Sequence, residues 1–246
     1  MEKIVQLEKL PLPVKFRSHS RARRIILRIT PLEIQITLPK GVSEKQGMDF
    51  LESRREWIMT QCREFQKSLQ TEEAGIPESI NLLALEEIWM VKKDGDSSSY
   101  LQKKLVIDEE GQILFFSPLL SDREVLSLLR SWIHLKAKEY LLPWLQQLSK
   151  KTGISYKKGF IRFQKTRWGS CSSKGNINLN AKLLFLPPYL VQYVIIHELC
   201  HQIHFNHSKA FWKKVESYEP AYQIWEDELD QYLKHIPLWV LMLERL

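Results

Sequence analysis

"VIIHELCHQIHFNHSKAFW", Val194 to Trp212, holds four of the chain's seven histidines and sets them directly behind a run of aliphatic residues. Upstream, Pro187 and Pro188 stand where a helix can begin, because the N–H that proline lacks has no intrahelical partner at that position anyway. No breaker follows, so the pattern predicts a helix continuing to Asn206. On such a helix His197 and His201 are four apart, which puts both imidazoles on one face, about 6 Å apart along the axis. One metal ion can reach both. Glu198 adjoins the first of them, where a carboxylate can contact a metal-bound water without ligating the metal, as a general base must. This is the H-E-x-x-H pattern.

A catalytic zinc usually takes three protein ligands and leaves a fourth position for water. His204 would lie about 10 Å along a continuing helix from His197, too far for one small ion to gather all three. Asn206 tolerates left-handed backbone and can end the helix. The chain would then turn back and bring His207 to the metal, so His207 is preferred to His204 as the third ligand. Cys200, inside the motif, should face the core and serve packing alone.

Working outward, the first half reads mostly as strand. "RIILRIT" (24–30) and "EIQITLP" (33–39) form a hairpin pattern, and Ser43 can cap a single helix through "EKQGMDFLESRREWIMTQCREFQKSL". After the loop 71–79 come "INLLAL", "EIWMVKK", "YLQKKLVID" and "QILFFS", separated by the turns "DGDSSS" and "DEEG". From Ser121 the period becomes helical up to Gly153, with Pro143 expected to kink or divide the helix. "KGFIRFQ" and "NINLN" (Asn176 to Asn180) then read as strands, and Ser208 as the cap of a further helix. The apolar ending "IPLWVLMLER" should pack on the body or on a partner.

The bulk numbers bound the class. Hydrophobic residues make up 44% of the 246 and charged residues 26%, ordinary globular usage that favours neither disorder nor a fibrous repeat. No stretch suits a signal peptide or a membrane span. Cys62, Cys171 and Cys200 are odd in number and widely separated, which fits reduced thiols better than a disulfide framework. A cytoplasmic protein with no membrane partner is the expectation. The net charge is +7 and partly local, since Lys15 to Arg24 carries five basic residues and no acid. That arm could meet nucleic acid or simply protect a solvated strand edge.

"RWGSCSSKGNINLN", "YVIIHELCH" and "NHSKAFW" together resemble the YgjP-like family of metal-dependent hydrolases, a zincin-type metallopeptidase group allied to SprT and WLM. The early "RIILRI", "EIQITLPKGVSE" and "FLESRREWI" are also similar to that family's N-terminal strands and helix. The resemblance implies that His197, His201 and His207 hold Zn2+ and that Glu198 activates its water. Metzincins share the spacing of the third ligand but place glycine where this chain has His204. The expected fold is α+β: a β-rich N-terminal part with one helix over residues 1–117, then a helical zincin-like catalytic domain over residues 118–246, in two parts or one continuous body.

The function expected is zinc-dependent hydrolysis of a polypeptide substrate. In zincin-type peptidases a strand edge beside the active helix holds the substrate extended, and "NINLN" is the natural candidate. Arg167 and Trp168 have two readings: they bind substrate or steady an oxyanion, or the indole packs beneath the helix while the guanidinium pairs with a carboxylate. Tyr218 and Tyr222 read as aromatic core. Two rival functions remain, a metal-dependent nucleotide phosphoanhydride hydrolase and a non-catalytic zinc-stabilised module that binds nucleic acid or protein through the basic arm.

Overall fold

The computed structural model describes residues 2–5, 10–20, 22–29, 33–69, 75–93, 103–232 and 236–243. The chain forms two compact units, Met1–Glu73 and Ala74–Leu246. Residue 118, where the change from strand to helix suggested a boundary, lies inside the second.

The first unit holds strands β1 (Glu2–Val5), β2 (Val14–His19), β3 (Ile26–Ile29) and β4 (Ile34–Pro39), and helices α1 (Glu44–Ser53) and α2 (Arg55–Leu69). The sheet order is β1-β2-β4-β3, with β2 and β4 parallel and β3 antiparallel to β4, which is the expected hairpin. Strict alternation along β4 buries Ile34, Ile36 and Leu38 against Val14, Phe16, Leu51 and Ile58, as a half-buried strand should. β2, which carries Lys15 and Arg17, is internal to this sheet rather than an edge.

Ser43 caps α1 through a reciprocal capping box with Gln46. The single helix anticipated here is two, broken at Arg54 (φ −112°, ψ 10°). No glycine or proline announces the break. Gly47, a poor helix former, has a packing reason: a Cβ there would lie 2.9 Å from a Leu38 methyl, so only glycine lets α1 lie this close to β4.

The second unit begins with β5 (Ser79–Leu82), β6 (Glu87–Lys93), β7 (Leu105–Asp108) and β8 (Ile113–Phe116), ordered β5-β6-β8-β7. "INLLAL" is only half strand, since Leu83–Leu85 form a 3-10 turn, and "DGDSSS" lies outside the described residues. Helix α3 (Asp122–Thr152) starts at a Ser121–Glu124 capping box and ends at Gly153 in left-handed conformation, φ +69°. Pro143 does not divide it. Pro143 and Glu139, whose carbonyl loses its partner, both face solvent, where water replaces the missing bond.

Three short strands carry the site: β9 (Lys158–Arg162), β10 (Gly169–Cys171) and β11 (Asn176–Asn180), in the order β10-β11-β9. This corrects the reading of "NINLN" as an edge. Both sides of β11 are occupied, by β10 antiparallel and by β9 parallel, so the sheet's free edges belong to β10 and β9. A 3-10 turn, Ala181–Phe185, leads to α4 (Pro188–Cys200), followed by α5 (Lys209–Glu216), α6 (Tyr222–Tyr232) and α7 (Leu238–Met242). α4 is buried on almost every side, from Leu190 through Cys200, because β10, β11, α3, α5 and α6 all pack on it. A helix so encased has no polar face to display.

The apolar ending packs on this unit. Trp239 meets Phe185 edge-on with centroids 6.0 Å apart, and the Arg130 Nε donates to the Leu243 carbonyl at 2.9 Å. Among the described residues no helix is long and apolar enough to cross a membrane. The fold is α+β, as expected.

Candidate metal centre

α4 ends at Cys200, well short of the expected Asn206. His201 caps it, and the Gln202 and Ile203 amides donate to the carbonyls of Leu199 and Cys200 three residues back, at 2.9 and 3.0 Å. Such bonds tighten the last turn and reverse the chain. Among the described residues only Glu86 and Gln112 outside glycine have positive φ, so Asn206 makes no left-handed stop. Ser208 then starts α5, its Oγ accepting from the Phe211 amide at 3.3 Å.

The reversal brings His207 back to the helix. The ring nitrogens that His197, His201 and His207 offer all lie within 4.8 Å of one another, and the Nε2 atoms of His197 and His207 are 3.1 Å apart. His204 is absent from this group. Its main chain matters instead, because the His201 Nδ1 lies 3.0 Å from the His204 carbonyl. A carbonyl can only accept, so Nδ1 carries the proton and Nε2 keeps its lone pair for a ligand. Burial, reinforced by the two neighbouring imidazoles, draws the pKa of His197 down to about 3, and burial likewise lowers His201. Both rings stay neutral at physiological pH, the form that ligates.

Aromatic rings wall the cluster. Phe211 stacks on His201 at 4.4 Å and 23°, Trp212 on His207 at 5.4 Å and 30°, and Tyr193 meets His197 edge-on at 5.9 Å. Tyr222 stacks in turn on Trp212. This support went unread in the sequence, although the spacing of Phe211 and Trp212 from the Ser208 cap could have shown that α5 presents both towards the reversed loop. Tyr218 is structural, its hydroxyl donating to the Thr152 carbonyl at 2.9 Å.

Glu198 is 6% exposed, and its Oε2 is buried with no hydrogen-bond partner. Burial raises its pKa to about 8 against the opposing pull of the Arg167 charge. Gly169 on β10 makes room for it, since a Cβ there would lie 2.7 Å from both Cγ and Oε1 of Glu198. Gly169→Ala should therefore displace the carboxylate while leaving the three imidazoles in place. A shift of about 1 Å costs roughly 10²-fold in rate, so steady-state kinetics should show kcat reduced by about that factor with bound metal unchanged.

Arg167 is exposed, and Trp168 is half-buried with the Lys182 Nζ 5.9 Å from its ring. Both lie on a loop held by Asn180, a fully buried residue whose Nδ2 donates to the carbonyls of Gln164 and Arg167 at 2.8 and 2.7 Å. The sequence reading passed over Asn180 as one more residue of an alternating strand. Gln202 ties the end of α4 to the β10–β11 turn, its Nε2 donating to the Cys171 Sγ at 3.2 Å and the Gly175 carbonyl at 3.3 Å. Burial pushes Cys171 and Cys200 each up to about 11, so neither is a thiolate at neutral pH. Cys200 is buried packing, as expected.

An α+β chain that converges three imidazoles beside one buried carboxylate falls in the class of candidate metalloenzymes. The YgjP-like metallopeptidase domain matches residues 23–232, and the chain belongs to that family. Membership implies a metal cofactor and a polypeptide substrate. No curated protein matches the chain. Among solved structures, the metallopeptidase zymogen of Pyrococcus abyssi abylysin is 27% identical over 38% of this chain and 95% of its own, with a TM-score of 0.36, an overlap too partial to bear on the fold.

Proposed function

We propose that the protein is a zinc-dependent peptidase in which His197, His201 and His207 hold the metal and Glu198 is the general base. The reading is carried by one observation: an unpartnered, buried carboxylate oxygen one residue from an imidazole whose nitrogen lies within 4.8 Å of those of two others. Three nitrogen donors are the number of protein ligands that a catalytic zinc usually takes. When bound, zinc supplies Lewis acidity that polarises a carbonyl and makes water a better nucleophile.

The chain's own residues do the rest. Glu198 accepts the proton of the attacking water at its carboxylate and delivers it to the departing amine. Arg167 is exposed and close enough for its charge to act on Glu198, which suits it to meet the oxyanion that develops on the substrate. Trp168, set on the same Asn180-held loop, adds apolar surface for a substrate side chain. β10 is the free edge beside α4, and a substrate strand adding there passes Glu198 at Gly169.

Metal analysis of the purified protein should find about one zinc per chain. Chelation should abolish cleavage of an unfolded protein such as reduced casein, and added zinc should restore it. Cleavage that survives complete metal removal would refute the proposal, and phosphate release from nucleotides without peptide cleavage would move it to phosphoanhydride hydrolysis.

A further inference from the structure

The first unit contains a groove of about 690 Å3, lined by Arg24, Ile26, Leu27, Phe50, Arg54 and Trp57 among others. Phe50 comes from the last turns of α1, Arg54 from the break and Trp57 from the first turn of α2, and all three line one wall of the groove. The opposite wall is β3 and the residues just before it. β3 is an edge of its sheet, and alternate residues of an edge strand turn their N–H and C=O outward with no partner strand.

Ile26 and Trp57 are 47% and 49% exposed, large apolar side chains left half in water on facing walls. Arg24 and Arg54 are exposed beside them, and neither guanidinium has an ion-pair or hydrogen-bond partner among the described residues. An edge backbone, an apolar floor and two free guanidiniums are complementary to one kind of occupant. We propose that this groove binds an extended polypeptide segment carrying a carboxylate side chain next to an apolar one. The main chain pairs with β3, the apolar side chain enters between Ile26 and Trp57, and the carboxylate meets Arg24 and Arg54.

A single-stranded nucleic acid would use the same arginines, and the basic stretch from Lys15 supplies further charge. It has no use for the edge backbone, however: Phe50 and Trp57 on the helical wall offer rings to a base, but the outward N–H and C=O groups of β3 are matched only by another extended main chain. The peptide is the better fit. This inference does not rest on the chemistry of the metal centre.

The test uses the full chain carrying Glu198→Gln, so that nothing is cleaved, and reads the fluorescence anisotropy of a labelled nonapeptide of alternating Val and Glu. It should bind, while the same peptide with Lys for Glu, or with Pro at alternate positions, should not. Arg24→Ala/Arg54→Ala and, separately, Trp57→Ala should each weaken binding by about tenfold or more while retaining the parent's circular dichroism. All three side chains are exposed, so folding should survive, and the arginine pair tests the site even if the tryptophan variant does not fold. Absence of binding, or equal affinity in the arginine variant, overturns the proposal. So does displacement of the peptide by decathymidylate, which would assign the groove to nucleic acid.

Discussion

Glu198→Gln should lower kcat/KM for peptide hydrolysis by roughly 10²–10⁴-fold, the range a positioned general base contributes, while the metal content stays at the wild-type level. Glutamine fills the same space but cannot take a proton from water, and His197, His201 and His207 are untouched. A second consequence separates this carboxylate from an ordinary core residue. Its pKa of about 8 in the folded chain stands above the usual 4.5, with burial as the cause. A group raised in this way contributes stability that is fully present below the unfolded pKa and lost as pH rises through the folded one. In the metal-free protein the carboxyl is therefore neutral in the fold at pH 5, and at pH 9 it is ionised, with an oxygen that nothing satisfies. The cost at pH 9 is on the order of a few kcal/mol, which the amide escapes. Thermal melts of the metal-free pair should nearly coincide at pH 5 and separate by several degrees at pH 9, with Glu198→Gln the more stable. Identical melts at both pH values, or unimpaired hydrolysis in the variant, would remove Glu198 from the role given it. A residue whose loss abolishes activity and improves the empty fold is one retained for chemistry rather than packing.

How much of this was open to sequence reasoning depends on whether the deciding interaction is local. The caps at Ser43, Ser121 and Ser208 and the alternation of Ile34, Ile36 and Leu38 were legible because each is settled within a few residues of itself. The pair His197 and His201 was legible for the same reason, since helical spacing alone puts both rings on one face. The errors arise where distant chain decides. Nothing in "NINLN" tells that β9 pairs parallel on its far side, so its edge character could not be judged and the free edge went unassigned to β10. Nothing in "RWGSCSS" marks Gly169, and only the approach of Glu198 from another element gives it a purpose. Asn180 lies buried and bonded to two carbonyls of a loop that precedes it by more than a dozen residues. The helix end is an intermediate case. Its position was misjudged, because His201 and Gln202 are not breakers, yet the conclusion that the chain reverses before His207 came out of the same passage.

The choice between His207 and His204 gives the other large expected effect. His207→Ala removes one of three convergent nitrogens and leaves only the helical pair. Partners that merely orient a ligand are worth about 10- to 100-fold in metal affinity, so deleting a ligand itself should weaken zinc by at least about 10²-fold, and activity should fall with it. His204→Ala deletes only a side chain outside the cluster. The carbonyl that holds the His201 Nδ1 at 3.0 Å belongs to the backbone and survives the substitution, so zinc content and kcat should match wild type. The stability readout makes the comparison independent of any substrate. A ligand at free concentration L that binds only the folded chain stabilises it by RT ln(1 + L/Kd), so zinc at a concentration between the two dissociation constants should raise the transition of wild type and of His204→Ala alike and leave that of His207→Ala nearly where it was. His207 is exposed, and its removal leaves no cavity, so the metal-free melts of all three should agree within a few degrees and a lost zinc response cannot be ascribed to a damaged fold. The reverse ranking, with His204→Ala losing the zinc response and His207→Ala keeping it, would mean that the loop beyond Cys200 rearranges to present the other imidazole and that the reversal at Gln202 and Ile203 is not the arrangement that holds the metal.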